Sequence, residues 1–387
     1  MRRRTIPVAQ ALVLAAALAG SWTGGAAAQN APADAPQGPP GLTRPVQLEA
    51  FVPAARSCPP PANLKRSLVF AQDNDRKFMQ GVAQGLERAA KDRGLQYRVA
   101  LAANDAARMN AQIAEALADG LGALVASPVD PAALAPALQK VIWSGAYVGT
   151  VVPPPATTIL NAPQYLTGKV LGDEAARYIE DRLNGKANVV LLTHDSLQFL
   201  APRFTAMRDS LRRLPGAVVV ADISPATVDE AGGREMMRTI LLANPKVDVV
   251  LGADTVVLGA LAALREAGKA RDDQFIGGID GEPMAVEEIR RKGPYKASVS
   301  LASPVFGYAL GQFAADWLEG RTVPQAMDIL PKALTAQNIA QYEADLADPA
   351  AVFADASRRR DYLRMYGEIC FDTRDRYLNF PWSSERR

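Results

Sequence analysis

The sequence predicts an α/β fold of two doubly wound parallel-sheet lobes, and three observations carry the prediction. Short apolar runs recur without polar alternation, as in strands covered on both faces. Helical periodicity fills the stretches between them, for example Phe78, Val82, Leu86 and Ala89. Glycine closes these helices at Gly94, Gly120, Gly145, Gly185, Gly268, Gly293 and Gly320, because it takes the left-handed cap conformation without steric cost. The rhythm repeats about eight times, more than one compact sheet of ordinary size holds, so the 387 residues divide into two lobes with right-handed crossovers.

Taken in order, residues 1–28 read as a cleaved secretory signal: a basic start at Arg2, Arg3 and Arg4, the apolar run Ala9 to Ala19, then small residues ending at Ala28. The apolar run is roughly half the ~20 residues a spanning helix needs. No cysteine follows it, so no lipid anchor is expected, while the arginines leave a twin-arginine route open. Residues 29–63 are rich in proline and poor in large apolar groups, which reads as an extended, mobile tether.

The folded body starts near Leu64. Strands are expected at 67–71, 97–101, 123–127, 147–152, 188–192, 218–223, 247–252, 275–279 and 297–301. Asp130, before Pro131, reads as the N-cap of the following helix. Residues 336–387 form an extension carrying Tyr342, Phe353, Tyr362, Tyr366, Phe371, Tyr377, Phe380 and Trp382. Disordered tails are poor in aromatics, so this one is expected to pack on the body. Cys58 and Cys370 flank the folded part. In an oxidising compartment they read as a disulfide joining the terminal segments, two free thiols being the alternative.

Composition excludes several functions. Lys and Arg number 43 against 41 Asp and Glu, and removal of the basic leader brings the chain near neutrality, which speaks against nucleic acid as a partner. One histidine and two cysteines cannot build a Cys/His zinc cluster, and no metal or cofactor is expected. Gly168-Lys169 and Gly185-Lys186 lack the rest of a phosphate-binding loop. Ala71-Gln72-Asp73-Asn74-Asp75 stands where a dinucleotide fingerprint would follow the first strand. There is no Gly-x-Ser-x-Gly elbow. His194 has only the adjacent Asp195 beside it, badly placed to orient an imidazole. The chain therefore reads as a binding protein, with no catalytic residues.

Open α/β sheets hold ligands beyond the carboxyl ends of their strands. Those positions carry Asn74, Asp75, Arg76 and Phe78, then His194, Phe199 and Arg203, then Ala253 and Asp254, then Asp280. Each acid, and Arg203, fits either a ligand contact or a helix cap or solvated group; their shared location singles them out.

With these residues in place the chain resembles a type I periplasmic solute-binding protein of ABC transporters, of the ribose-binding class. The resemblance runs from about Leu64 to about Thr335 through LVFAQDNDRKFMQGVAQGLERAAKDRG, ALVASPVDPAALAPALQK, TGKVLGDEAARYI, PRFTAMRDSL, ADTVVLGALAALREAG, FIGGIDGEP and ASVSLASPVFGYALG. It implies two lobes joined by a three-crossover hinge near 158–161, 298–302 and 327–331. The N-terminal lobe is then 64–160 with 302–330, and the C-terminal lobe 161–301 with 331–335. A ligand is enclosed when the lobes close about the hinge.

Carried onto matching positions, Asn74 to Phe78 correspond to the family's ligand loop, with Phe78 as the stacking aromatic, and Arg203 and Asp280 correspond to residues that hydrogen-bond sugar hydroxyls. Three positions depart: Val152 stands where an Asp-Arg pair is usual, Ala253 replaces an asparagine beside Asp254, and Leu301 replaces a glutamine. Phe199 and Leu200 enlarge a turn that is normally small. An unpaired buried hydroxyl costs roughly 1–3 kcal/mol, so the expected ligand has fewer hydroxyls or a larger apolar part than ribose or glucose. The resemblance implies a monomeric, periplasmic receptor that delivers a small molecule to an inner-membrane permease. The alternative is a sensor presenting its closed state to a receptor kinase or chemoreceptor. The repressors that share this fold need a helix-turn-helix before the first lobe, where this chain has the leader and tether.

Overall fold

The computed structural model describes residues 46–53, 57–151 and 155–385. Strands β1 (Ser67–Gln72), β2 (Gln96–Leu101), β3 (Ala123–Ala126), β4 (Tyr147–Thr150) and β5 (Thr158–Asn161) share one sheet, and β6 (Ala187–Leu192), β7 (Ala217–Ile223), β8 (Val249–Leu251), β9 (Phe275–Ile279) and β10 (Tyr295–Ser300) share a second. The chain then returns to the first sheet with β11 (Ala326–Ile329), to the second with β12 (Lys332–Leu334), and to the first again with β13 (Leu363–Tyr366).

The strand orders are β2-β1-β3-β4-β5-β11-β13 and β7-β6-β8-β9-β10-β12. In each sheet every pairing is parallel except the last, where β13 runs against β11 and β12 against β10. This is the predicted pair of doubly wound lobes. Apolar runs such as Val249–Leu251 are wholly buried because helices cover both faces.

Helices α1 (Lys77–Arg93), α2 (Ala106–Ala118), α3 (Pro131–Trp143), α4 (Gln164–Arg182), α5 (Ala201–Leu211), α6 (Glu230–Ala243), α7 (Asp254–Glu266), α8 (Pro283–Arg290) and α9 (Ser303–Leu318) alternate with the strands. Gly94 ends α1 at φ 64° and donates its N–H to the carbonyls of Ala90 and Lys91. Asp130 caps α3, its carboxylate accepting the Ala133 N–H. Gly293 is not in the left-handed region; Lys292, at φ 56°, takes that conformation instead. Helices α1 and α9 pack almost backbone to backbone. A Cβ on Gly85 would lie 2.2 Å from the Pro304 carbonyl oxygen, so only glycine permits the approach.

Strands β5, β11, β12 and β13 were not expected as strands; β5 and β11 lie where the resemblance implied crossovers. Each has four residues or fewer and is defined by its partner more than by its own pattern. Among the described residues the chain passes between the sheets after β5, β10, β11 and β12. The passage after β12 runs through α10 (Ile339–Ala347), α11 (Pro349–Ala354) and α12 (Ala356–Arg360), and so adds a fourth connection to the three expected.

The extension packs on the first lobe. Phe353 meets the rings of Tyr308 and Phe313, and Phe371 meets Trp317. Cys58 and Cys370 are joined in a disulfide with Cα atoms 5.7 Å apart. Residues 46–53 and 57–63, read as the end of a mobile tether, lie instead on the body. Phe51 donates its N–H to the Met365 carbonyl at 2.9 Å, Gly367 donates to the Glu49 carbonyl at 2.7 Å, and Cys58 donates to the Gly320 carbonyl at 3.2 Å. The edge of β13 presents unpaired backbone groups, and a proline-rich segment retains enough N–H and C=O groups to pair with them. The signal peptide and residues 29–45 of the tether fall outside the described residues, as do residues 54–56. No described helix is long and apolar enough to cross a membrane.

Candidate functional site

In the first sheet Gln72 pairs level with Leu101, and Ala71 with Ala126. In the second, Leu251 is level with Gly277, and Ile279 with Val299. A cleft of about 690 Å³ lies between residues that follow these strand ends. Its walls bring together Arg76 and Phe78 at the start of α1, Arg203 on α5, Asp280 in the β9–α8 turn, and Leu301 between β10 and α9. These five residues, distant in sequence, were all singled out beforehand.

Arg203 and Asp280 form the charged centre. An Arg203 Nη1 lies 3.6 Å from Asp280 Oδ1, and Arg203 Nε donates to Gln164 Oε1. Burial lowers the Arg203 pKa, while Asp280 opposes the shift. Asp280 stands in the left-handed half of the backbone map at φ 120°, a conformation that costs an ordinary residue about 1–3 kcal/mol. The enclosing protein pushes its carboxyl up to about 6, with Arg203 pulling the other way. Its side chain is 47% exposed to the cleft, leaving oxygen lone pairs for an incoming hydroxyl or amine. Phe78 is half-buried against Phe306, ring centres 5.6 Å apart, and Leu301 is buried.

Asp254 does not line this cleft. It is fully buried, its Oδ1 accepting the Tyr295 hydroxyl at 2.7 Å and its Oδ2 accepting Ser298 Oγ at 2.6 Å and the Glu282 N–H at 2.8 Å. Ser298 Oγ in turn accepts the Gly281 N–H at 3.1 Å. The carboxylate thus fastens both residues that follow Asp280, holding the turn that presents it. Burial outweighs these hydrogen bonds and pushes the Asp254 carboxyl up to about 7. Ala253, just before Asp254 in the β8–α7 turn, is half-buried against the core and also stands away from the cleft wall.

The other expected positions fall elsewhere. The Asn74 amide is engaged within its own loop and with Asn104, donating to Asn104 Oδ1 at 3.0 Å and accepting the Arg76 N–H at 3.2 Å. Asp75 is exposed, its carbonyl accepting Gln80 Nε2 at 2.6 Å. His194 is buried edge-on against Phe204 with Nε2 unpaired, and burial lowers its pKa. Phe199 is 69% exposed on its turn and does not reach the cleft wall. Val152 lies outside the described residues.

Sequence reasoning missed an entire wall. Tyr342, Glu343 and Leu346 of α10 line the cleft together with Gln80 and Gln84 of α1 and Val286 and Arg290 of α8. The aromatic content of the extension pointed to packing, but nothing in one dimension showed that its first helix returns to the cleft. Among the described residues no group of three or more His, Cys, Asp or Glu side chains gathers to hold a metal ion.

Residues 67–322 match the family described as periplasmic binding protein domain. The ribose import binding protein of Bacillus subtilis is 26% identical over 261 residues, covering 65% of this chain and 80% of that protein. A periplasmic ribose ABC transporter structure from Conexibacter woesei superposes with a TM-score of 0.63 at 19% identity, over 78% of this chain and 98% of that one. An ABC transporter solute binding protein from Bacillus halodurans with bound myo-inositol superposes at 0.60 with 21% identity, over 73% and 99% of the two chains.

Proposed function

The chain belongs to the periplasmic binding protein family, whose relatives found here bind solutes and are not enzymes, and from that premise we propose that it is an exported receptor for a small hydroxylated molecule. It captures the ligand between its lobes, in the periplasm, and hands it as a monomer to an ABC-type membrane permease. The observation that carries this reading is the Arg203–Asp280 pair in the wall of an interlobe cleft, 3.6 Å apart. A guanidinium offers five donors and a carboxylate only acceptors, a combination suited to the alternating donor and acceptor character of vicinal hydroxyls. Leu301 beside the pair supports a ligand with fewer hydroxyls, or a larger apolar part, than ribose or glucose.

The test is direct. Native mass spectrometry of protein freshly prepared from the periplasm is expected to show a trapped small molecule. A thermal-shift panel of pentoses, hexoses, polyols and less polar metabolites is expected to find a stabilising ligand, with a smaller radius of gyration by small-angle scattering when it binds. Micromolar binding of ribose or galactose would remove the claim about polarity and leave an ordinary sugar receptor. Tight binding with an unchanged radius would remove the closure mechanism.

A further inference from the structure

Helix α10 lies beyond residue 322, where the family match ends, yet it walls the ligand cleft. It is a fixed wall. Tyr342 is buried and pairs its hydroxyl with Ser300 Oγ at the end of β10. Behind it, the buried Asp345 accepts the Tyr362 hydroxyl at 2.5 Å, Arg358 Nη2 at 2.5 Å and Gln341 Nε2 at 2.8 Å. It stands between strands of different sheets, β12 before it and, beyond α11 and α12, β13 after it. A surface held in this way presents its side chains with little freedom left to lose on binding.

The cleft lining combines two chemistries. Arg203 and Asp280 supply charged groups. Leu346 of α10, Val286 of α8 and Pro304 of α9 supply apolar surface. Two charged pairs accompany this surface: Arg290 pairs with Glu343, and Glu287 lies 3.8 Å from Arg291. Apolar surface of this kind is covered most favourably by a neutral, apolar substituent.

We propose that α10 forms a second compartment of the binding site, and that the ligand is a hydroxylated ring bearing a neutral apolar substituent, of the alkyl or aryl glycoside class. The inference rests on the cleft being the solute site. The ring sits at Arg203 and Asp280, and the substituent runs along α1 and α8 toward Leu346. The element that selects it belongs to the extension, beyond the residues that match the family model.

Calorimetric titration of the full chain tests this with ribose, galactose and myo-inositol, each beside its methyl and phenyl derivative. For at least one ring, the phenyl derivative is expected to bind about tenfold or more tightly than the free ring, the scale on which an added apolar group is recognised in a fitted pocket. Leu346→Glu is expected to erase that preference. Leu346→Ala, which removes apolar surface without adding a charge, is expected to reduce it part of the way, with folding of both variants checked by circular dichroism. Equal affinities for free and substituted rings, or a preference that Leu346→Glu leaves intact, would overturn the second compartment while the receptor reading stands. Binding of no ring, free or substituted, would overturn both.

Discussion

Asp254 and Asp280 follow the carboxyl ends of neighbouring parallel strands, β8 and β9, and their surroundings assign them opposite tasks. Asp280 is half exposed in the cleft, strained in its backbone and paired loosely with Arg203. Asp254 is fully buried, and all its bonds are made to the protein. One carboxylate faces the cleft; the other holds the turn that places it there. The comparison teaches that a polar residue at a strand end is only a candidate, and that the direction of the side chain decides whether it meets ligand or scaffold. Strain at a binding residue persists only where its neighbours over-determine it, and here the braces are the Asp254 contacts to Glu282 and, through Ser298, to Gly281.

The largest expected effect breaks the brace. Asp254→Ala leaves the Tyr295 and Ser298 hydroxyls and the Glu282 N–H without their acceptor, and should cost about 3 kcal/mol or more in urea unfolding. Asp280→Ala, at a half-exposed position, should cost about 1 kcal/mol or less. Similar losses for the two variants would mean that the division of labour is misread.

Binding should reverse the ranking. Once a ligand is in hand, Arg203→Ala and Asp280→Ala should each weaken it about thirtyfold or more, the scale of a lost hydrogen bond to a charged group. Retention of near-normal affinity by either variant, measured calorimetrically, would take that residue out of the site.

A pH series sharpens the contrast further. Folding raises the Asp254 carboxyl from an ordinary 3.8 to about 7, so between those values the folded state holds more protons than the unfolded one. The stability contributed by this group is therefore full below about pH 4 and falls as pH rises toward 7. Asp280, raised to about 6, acts with the same sign, but its exposure to solvent weakens the effect. Urea midpoints between pH 4 and 8 should lose more of their slope in Asp254→Asn than in Asp280→Asn; an equal slope in wild type and Asp254→Asn would refute the assignment.

The smallest effect concerns a third strand-end turn, that of β6. Phe199 is 69% exposed there, so Phe199→Ser should move the stability of the unliganded protein by no more than about 0.5 kcal/mol. A substantially lower melting temperature would show that this ring packs against a neighbour after all.

The same reasoning explains how far the site was legible. Arg203, Asp280, Phe78, Arg76 and Leu301 were found because strand ends can be located from apolar runs and their stops. Asn74, Asp75, His194, Phe199, Ala253 and Asp254 met the same criterion and do not line the cleft. Their side chains are bound within loops, turned into the core, or projected to solvent, and these outcomes depend on neighbours such as Asn104, Phe204 and Tyr295. Those neighbours stand 30, 10 and 41 positions away, outside the reach of any local pattern.

Local physics in the sequence by itself determined the alternation of strand and helix, the two-lobe count, the Asp130 cap and the packing of the aromatic extension. Buried strands need apolar runs, helix ends need caps, and aromatic side chains need a surface to cover. Only the tertiary structure decided which short segments became β5, β11, β12 and β13, since three or four residues form a strand only where a partner's backbone already offers hydrogen bonds. It also decided which strand-end carboxylate faces the cleft, and that α10 returns to wall it. Both depend on contacts made across long loops, and the chain carries their consequences without marking them locally.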